Sequence, residues 1–276
     1  MRFAPLPGDN QVVSDRPDPV AAIELEGVVK WFRSERALDG VDLAVPRGAI
    51  TVLLGPSGAG KTVTIGCIVG LIEPTAGTVR VEDKDLAALS EAELNELRRG
   101  ISVAFQGAQP FTCGLFFSLD VFENVAYPLR ERTGWPEERV EQTTLEHLTM
   151  VGLRDRVRAM PDALSSGERK RTAIARALAL GARIVIIDDF DSGIDGVRLA
   201  LLCELIQDVQ AASGATFLVT THDMVAARQL AHYVAVIHGG RIVASGEADA
   251  VFSTDEPAAR QLIDGALAGP IGLRDV

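Results

Sequence analysis

Short apolar runs and longer amphipathic stretches alternate along most of this chain. Runs such as AITVLL (49–54) and RIVIID (183–188) have the length and composition of buried strands. Each is linked to a segment with helical spacing, KTVTIGCIVGLI (61–72) and GVRLALLCELIQDVQAA (196–212). Strands that alternate with helices in this way predict an α/β fold with a largely parallel sheet.

The same pattern predicts further elements and one interruption. EAELNELRR (91–99) is predicted to be a helix with Ser90 as its N-cap. From 119 to 160 the strand pattern disappears and helical spacing dominates, with Pro136 at a favourable helix start. This block predicts a helical insertion into the α/β domain. Further strands are predicted at 78–82, 101–105, 216–220, 233–238 and 241–245, and a short helix with an irregular tail after 252.

Composition narrows the classes of function. The chain has 276 residues, 47% of them hydrophobic, and a net charge of −11, which disfavours nucleic-acid binding. Cys67, Cys113 and Cys203 lack metal-ligand spacing, so we expect reduced thiols in a cytosolic setting. Residues 1–21 are rich in Pro, Asp and Gly and are predicted to form a flexible tail without a signal peptide. No run of 18 apolar residues is present, so any membrane role would require another chain to cross the bilayer.

GPSGAGKT (55–62), called here the phosphate loop, matches G-x-x-x-x-G-K-[ST] between a predicted strand and a predicted helix. Glycines allow backbone N–H groups to surround phosphate oxygens, and the following helix directs its positive end at them. Lys61 is expected to contact the β- and γ-phosphates, and the Thr62 hydroxyl to bind Mg²⁺. A glycine-rich turn with a surface lysine is the alternative. The predicted nucleotide-binding residues here are Gly55, Pro56, Ser57, Gly58, Ala59, Gly60, Lys61, Thr62 and Val63.

Two aspartates follow the apolar strand RIVII. Asp188 is the expected carboxylate for Mg²⁺, because the carboxyl ends of parallel strands face the ligand crevice of an open sheet. Upstream, LSSGERKRTAIARALAL (164–180) begins with small polar residues and continues as a helix. Alone, such a start indicates only a helix cap.

In this order, however, the motifs resemble those of the ATP-binding cassette (ABC) ATPases, whose signature sequence is L-S-G-G-Q. The resemblance covers about residues 22–252. It implies a P-loop NTPase core of the RecA type, with an antiparallel β subdomain and a helical subdomain at about 107–165. It also implies ATP and Mg²⁺ as cofactors, with residues 253–276 as a C-terminal extension.

The resemblance assigns roles to further residues. Phe32 matches the aromatic residue that stacks on adenine, with Trp31 as the neighbouring candidate. Gln106 matches the glutamine that joins Mg²⁺ to the helical subdomain, so the implied metal ligands are Thr62, Gln106 and Asp188. The implied catalytic residues are Asp189, His222 and Lys61. The signature residues Ser165, Ser166, Gly167 and Glu168, and Asp195 of the D-loop (192–195), complete the implied nucleotide contacts.

Departures from the family pattern cluster at the hydrolysis chemistry. Ser166 and Glu168 replace a glycine and the glutamine of the signature, and Asp189 replaces the catalytic glutamate. Phe190 and Gly196 stand where the family has or often has proline, and the segment between Gln106 and FENVAYPL is longer than usual. We therefore expect tight ATP binding and slow hydrolysis. A catalytically weakened nucleotide switch is the alternative.

The chain carries one phosphate loop and one signature, so a complete site requires a second nucleotide-binding subunit, which is expected to be a second copy. The family also implies a separate membrane permease, which would hold this subunit at the cytoplasmic face of the membrane. Residues 115–133 and 253–272 resemble ATPases of Mce- and Mla-type lipid transporters, in particular the actinobacterial Mce-associated ATPase. Another cargo is an alternative. A soluble ABC protein of translation or DNA repair would normally carry two cassettes or a long coiled coil.

Overall fold

A computed structural model describes residues 20–105 and 114–272. Most of the predicted tail, Gln106 and Cys113 lie outside these residues. The strands are β1 Ala21–Phe32, β2 Glu35–Pro46, β3 Ile50–Leu54, β4 Ala76–Val81, β5 Lys84–Asp85, β6 Ile101–Ala104, β7 Ile184–Ile187, β8 Thr216–Thr221, β9 Tyr233–His238 and β10 Arg241–Glu247. The helices are α1 Lys61–Ile68, α2 Glu91–Arg99, α3 Val121–Thr133, α4 Glu137–Met150, α5 Ser166–Ala179, α6 Gly196–Ser213, α7 Met224–Leu230, α8 Ala248–Phe252 and α9 Pro257–Asp264.

A six-stranded sheet in the order β10-β9-β3-β8-β7-β6 forms the centre of the molecule. Its strands are parallel except for β10, which pairs with β9 in the antiparallel sense. Every residue of β3 is buried, with Ile50, Val52 and Leu54 in one hydrophobic core and Leu53 in the other. Burial on both faces explains why this strand is continuously apolar. The predicted α/β class with a largely parallel sheet is confirmed.

A second, antiparallel sheet has the order β2-β1-β4-β5. The sequence pattern did not single out β1 and β2 individually. The reason lies in the pairing, since register shifts such as the one between Leu25 and Val28 interrupt the two-residue alternation of β1. Phe32 pairs with Glu35 at the tip of the hairpin that these two strands form.

The predicted helical insertion contains α3 and α4, which pack against each other and against α5. Asp120 caps α3 by accepting a hydrogen bond from the Glu123 N–H, and Pro136 is the N-cap of α4. The prediction that the segment from residue 61 is helical to residue 72 was wrong in its last turn. Gly70 has a φ of 67°, and the N–H groups of Leu71 and Ile72 both return to the carbonyl of Gly66. A left-handed glycine of this kind ends a helix.

The C-terminal segment folds back on itself. The Gln261 side chain is buried and donates to the Ile271 carbonyl at 3.0 Å, while its oxygen accepts from the Ile271 N–H at 2.7 Å. A Cβ on Gly269 would come within 2.2 Å of the Gln261 side chain, so a larger residue at this position would have to displace that side chain. Among the described residues, no helix has the length and apolar character needed to cross a membrane.

Candidate nucleotide-binding and hydrolysis site

The phosphate loop connects β3 to α1 at the carboxyl edge of the central sheet. A Cβ on Gly55 would lie 2.4 Å from the Ile237 carbonyl oxygen, so a larger residue would push the loop away from β9. Gly60, with a φ of 107°, adopts a conformation that L-residues rarely take, and a Cβ there would lie 2.9 Å from the Ala37 carbonyl oxygen. Both glycines are therefore required by the local backbone. Gly58 adds a third constraint through its φ of 79°.

Lys61 is held inside the loop by its own backbone. Its amine donates to the carbonyl oxygens of Gly55 at 2.7 Å and Pro56 at 2.9 Å. Burial lowers the pKa of Lys61, and the negative charges of Asp189, Asp188 and Asp191 act in the opposite direction. The loop thus holds one cation that faces a group of carboxylates, which is where a polyphosphate would add further negative charge.

The side chains of Thr62 and Asp188 place two oxygen atoms side by side. The Thr62 hydroxyl donates to Asp188 Oδ2 at 2.9 Å, and Asp188 is 1% exposed. The other carboxylate oxygen of Asp188 accepts a hydrogen bond from the Thr220 hydroxyl at 2.7 Å. The buried Lys170 amine, which extends from α5, donates to the main-chain carbonyl of Asp188. Asp188 is therefore fixed from three sides.

Asp189 follows in a left-handed conformation, with a φ of 53°. Its N–H donates to the Thr220 hydroxyl at 2.7 Å, and the next N–H, of Phe190, donates to the Thr220 carbonyl at 2.8 Å. A proline at 190 would have no N–H for the second bond and would restrict the conformation of residue 189. The replacement of the family's proline by Phe190, whose side chain is fully buried, is consistent with this turn.

A third carboxylate, Asp191, lies beside His222. Asp191 Oδ2 is 2.9 Å from His222 Nδ1, whereas Asp189 Oδ1 is 3.8 Å from the same nitrogen. Sequence reasoning did not select Asp191 or Thr220 as functional residues. The available signals were the third acidic residue of DDFD and the two threonines directly before His222.

The signature residues begin α5. The Ser165 hydroxyl accepts the Glu168 N–H at 3.2 Å, and the Glu168 carboxylate accepts the Ser165 N–H at 2.9 Å, which completes a capping box. The Ser165 N–H holds the pKa of Glu168 below its usual value. The glutamate that replaces the family's glutamine thus has a structural role. Within the described residues, no hydrogen bond or ion pair joins 165–168 to the phosphate loop of the same chain.

The D-loop passes directly over the signature. A Cβ on Gly167 would lie 2.4 Å from the Gly193 carbonyl oxygen, and a Cβ on Gly193 would lie 2.6 Å from the Ser166 hydroxyl. Ser166 therefore packs against the D-loop of its own chain. At the end of this loop Asp195 caps α6 by accepting the Arg198 N–H at 3.1 Å, and this hydrogen bond lowers the pKa of Asp195.

The two aromatic candidates for adenine lie at the tip of the β1–β2 hairpin. Phe32 is 44% exposed and Trp31 is 42% exposed, so both have a free ring surface. The Lys30 amine lies 5.2 Å from the centre of the Phe32 ring, and the Arg36 guanidinium 5.4 Å from that of Trp31. Adjacent residues of a strand face opposite sides of the sheet. Only one of these rings can therefore face a given nucleotide.

Known proteins resemble this chain in sequence and in fold. The ABC transporter family profile matches residues 38–192. The probable ribonucleotide transport ATP-binding protein mkl of Mycobacterium leprae is 37% identical over 92% of this chain and 72% of its own length. The intermembrane phospholipid transport ATP-binding protein MlaF of Escherichia coli is 36% identical over 89% of this chain and 90% of its own length. A solved dimeric ATP-binding cassette, in a post-hydrolysis state with ADP and Pi, superimposes with a TM-score of 0.74 at 30% identity, covering 82% of this chain and 98% of the cassette. This chain belongs to the ABC transporter family and is a cassette that binds and hydrolyses ATP.

Proposed function

We propose that this chain is the ATPase subunit of a lipid transporter whose membrane-spanning part is a separate permease. The relatives are named for different cargoes, a ribonucleotide and a phospholipid, and cargo selection belongs to the permease. The observation that carries the lipid assignment is the match to the phospholipid-system ATPase over 90% of that protein's length. In this proposal the subunit works at the cytoplasmic face of the membrane, where the permease holds it.

Mg²⁺ fits the ligands that the phosphate loop and β7 provide. Mg²⁺ prefers octahedral coordination by oxygen at about 2.0–2.1 Å, so two neighbouring ligands lie about 2.9 Å apart. Thr62 Oγ1 and Asp188 Oδ2 are separated by 2.9 Å. Gln106, which lies outside the described residues, is the further ligand that the family resemblance implies. When bound with ATP, the ion would neutralise phosphate charge.

The remaining groups act on the triphosphate and on water. Lys61 exchanges its carbonyl contacts with Gly55 and Pro56 for phosphate oxygens when ATP enters. Asp189, with a side chain that is 14% exposed, is the proposed base that orients the attacking water. His222, at the end of the neighbouring strand β8, is the proposed sensor of the γ-phosphate. Phe32 is the proposed adenine platform.

A second copy of the chain is the proposed partner that completes the site. Among the residues that the structure describes, the signature makes no polar contact with the phosphate loop of its own chain, which supports a role at the nucleotide of a second copy. Exposed apolar residues lie close to the carboxyl edge of the central sheet, which carries the proposed hydrolysis residues and is called here the hydrolysis edge. They are Val197 and Leu201 in the first turns of α6 and Val225 in the first turn of α7. Exposed apolar surface beside a catalytic edge is typical of a protein interface.

The proposed binding site for the permease is a cavity of about 360 Å³ between α3, α5 and the edge strand β6. Leu71, Phe105 and Phe116 line it with apolar surface, and Leu71 and Phe116 are 63% and 46% exposed. Arg132 at its rim has no ion-pair partner among the described residues, and the buried Ser102 hydroxyl in its wall has no hydrogen-bond partner among them. An amphipathic permease helix with an acidic residue complements this surface.

The test is purification of the tagged full-length chain from the membranes of its native cells, followed by reconstitution in phospholipid vesicles. We expect a multi-span membrane protein to co-purify and phospholipid to stimulate the Mg²⁺-dependent ATPase. Leu71→Asp should abolish co-purification and leave ATP affinity unchanged, because Leu71 is exposed and follows the C-terminal end of α1, whose N-terminal end carries the phosphate loop. Met150→Asp, at a residue that is 53% exposed on α4, is the matched control. Stimulation by nucleotides or amino acids instead of lipids would contradict the lipid assignment.

A further inference from the structure

Asp191 is a buried carboxylate at the hydrolysis edge that no recognised motif explains. Its side chain is 6% exposed, and a buried carboxylate is costly unless donors surround it. The donors come from the end of β8. The Thr221 hydroxyl and the His222 N–H both donate to Asp191 Oδ1, the latter at 3.4 Å. Asp191 Oδ2 contacts His222 Nδ1 at 2.9 Å.

The direction of the protons around Asp191 is determined by the neighbouring backbone. The Asp223 N–H donates to the Thr221 hydroxyl oxygen at 3.0 Å, which leaves the Thr221 hydrogen free to point at Asp191. An ionised carboxylate can only accept hydrogen bonds. A lone pair on His222 Nδ1 would face the Asp191 oxygen with repulsion, so the proton of the neutral ring belongs on Nδ1.

This contact also determines which nitrogen faces the nucleotide. Leu54 pairs with Thr221 in the parallel β3–β8 register, so Gly55 of the phosphate loop and His222 leave the sheet side by side. The His222 side chain is 62% exposed, with Nδ1 turned toward the buried Asp191. Nε2, on the opposite side of the ring, is therefore the nitrogen available to a γ-phosphate.

We propose that Asp191 is a positioning residue for His222, which it contacts at Nδ1 so that Nε2 is presented to the γ-phosphate. Asp189, the proposed base for the attacking water, is 3.8 Å from the same nitrogen, beyond hydrogen-bond distance. The two carboxylates thus have separate tasks. The proposal rests on ATP hydrolysis at this site.

The first measurement is the tautomer of His222 by ¹⁵N NMR of the full-length chain. The sequence has only 4 histidines, so the signals can be separated, and His222→Gln assigns the relevant one. We expect the proton of the neutral ring on Nδ1. In Asp191→Leu it should move to Nε2 or divide between the nitrogens. Asp191→Asn should move it to Nε2, because the single amide oxygen stays with the Thr221 hydroxyl and the His222 N–H, and the amide NH2 then donates to Nδ1. Asp223→Asn is the matched control, because that carboxylate caps α7 and does not contact the ring.

The second measurement separates turnover from binding. Partners that orient a functional side chain typically contribute about 10–100-fold, so kcat should fall about 10–100-fold in Asp191→Leu while the Kd for ATP stays within about threefold. Asp191→Asn should lower kcat as well, because it favours the wrong tautomer of His222, and circular dichroism would verify that each variant folds. A wild-type Nε2–H tautomer, or an unchanged kcat in a folded Asp191→Leu variant, would overturn the proposal. Absence of Mg²⁺-dependent ATPase in the wild type would refute the hydrolysis premise instead, and the NMR result would still decide the positioning role.

Discussion

The Thr220 hydroxyl forms hydrogen bonds to both of the aspartates that follow β7. Its removal tests whether these hydrogen bonds stabilise the turn in which the two aspartates lie. The hydroxyl accepts the Asp189 N–H and donates to Asp188 Oδ1, each at 2.7 Å, and the residue is fully buried. Thr220→Val keeps the shape of the side chain and removes both hydrogen bonds. No cavity is created, so the effect measures the polar contacts alone.

The expected magnitude follows from these two contacts. Loss of a hydrogen bond to a charged group costs about 1.5–3 kcal/mol, and a buried N–H left without a partner costs about 1–3 kcal/mol. Because the two terms share one hydroxyl and are not additive, we expect Thr220→Val to lower the free energy of unfolding by about 3 kcal/mol. At about 2–4 °C per kcal/mol for a chain of this size, Tm should fall by on the order of 10 °C. A loosened Asp189 should also lower kcat by about tenfold or more.

The matched control is Thr51→Val in the adjacent strand β3. Thr51 is 1% exposed, and its hydroxyl has no hydrogen-bond partner among the described residues. Removal of that hydroxyl should leave the free energy of unfolding unchanged or raise it by about 1 kcal/mol. Urea unfolding of both variants, without nucleotide, gives the comparison. Equal stability of the two variants within about 0.5 kcal/mol would refute the reasoning about Thr220.

Further predictions concern single groups. Lys61→Ala should abolish ATP binding measured by calorimetry, because it removes the cation that faces the phosphates, and retained micromolar affinity would exclude that role. Asp189→Asn should lower kcat further with ATP affinity intact, and Asp189→Glu should raise kcat or leave it level; equal turnover of Asp189→Asn and wild type would show that Asp189 is not the base. The pKa of Glu168 is lowered in the folded chain, so its ionised form stabilises the fold at pH values above its unfolded pKa of about 4.3. There the wild type should be more stable than Glu168→Gln by about 0.3–1 kcal/mol. In unfolding measurements this difference in the free energy of unfolding should disappear as the pH falls below about 4.3. Gln261→Ala should increase hydrogen exchange of residues 266–272 without a change in ATP affinity, and an unchanged exchange rate would contradict the role of the Gln261–Ile271 contact.

The elements that sequence predicted well are those whose determinants are close together along the chain. The glycines of the phosphate loop and Lys61 all lie within the eight consecutive residues of that loop. Ser90, the N-cap of α2, is only three residues from its hydrogen-bond partner Glu93. Asp191 was missed because its partners lie 30 and 31 residues away. They meet only because β7 and β8 are neighbours in the sheet, a pairing that the strand pattern does not specify.

The conformation of Asp189 was also beyond sequence reasoning, although its cause was partly visible. The substitution of Phe190 for proline permitted a shifted turn, but the direction of the shift depends on Thr220, which lies on another strand. The length of α1 was misjudged for a related reason. Apolar spacing continues past Ile68, and only the conformation of Gly70 ends the helix.

Lys170 has a consequence for any pair of these subunits. It lies on α5, whose first residues form the signature, and its buried amine contacts the carbonyl of Asp188 at the site of the chain's own nucleotide. If a second copy places its ATP against this signature, a displacement of the signature would therefore be transmitted directly to the turn that holds the subunit's own proposed metal ligand and proposed base. Each bound ATP would then change the rate at which the other is hydrolysed, so hydrolysis at the two sites would be coupled rather than independent.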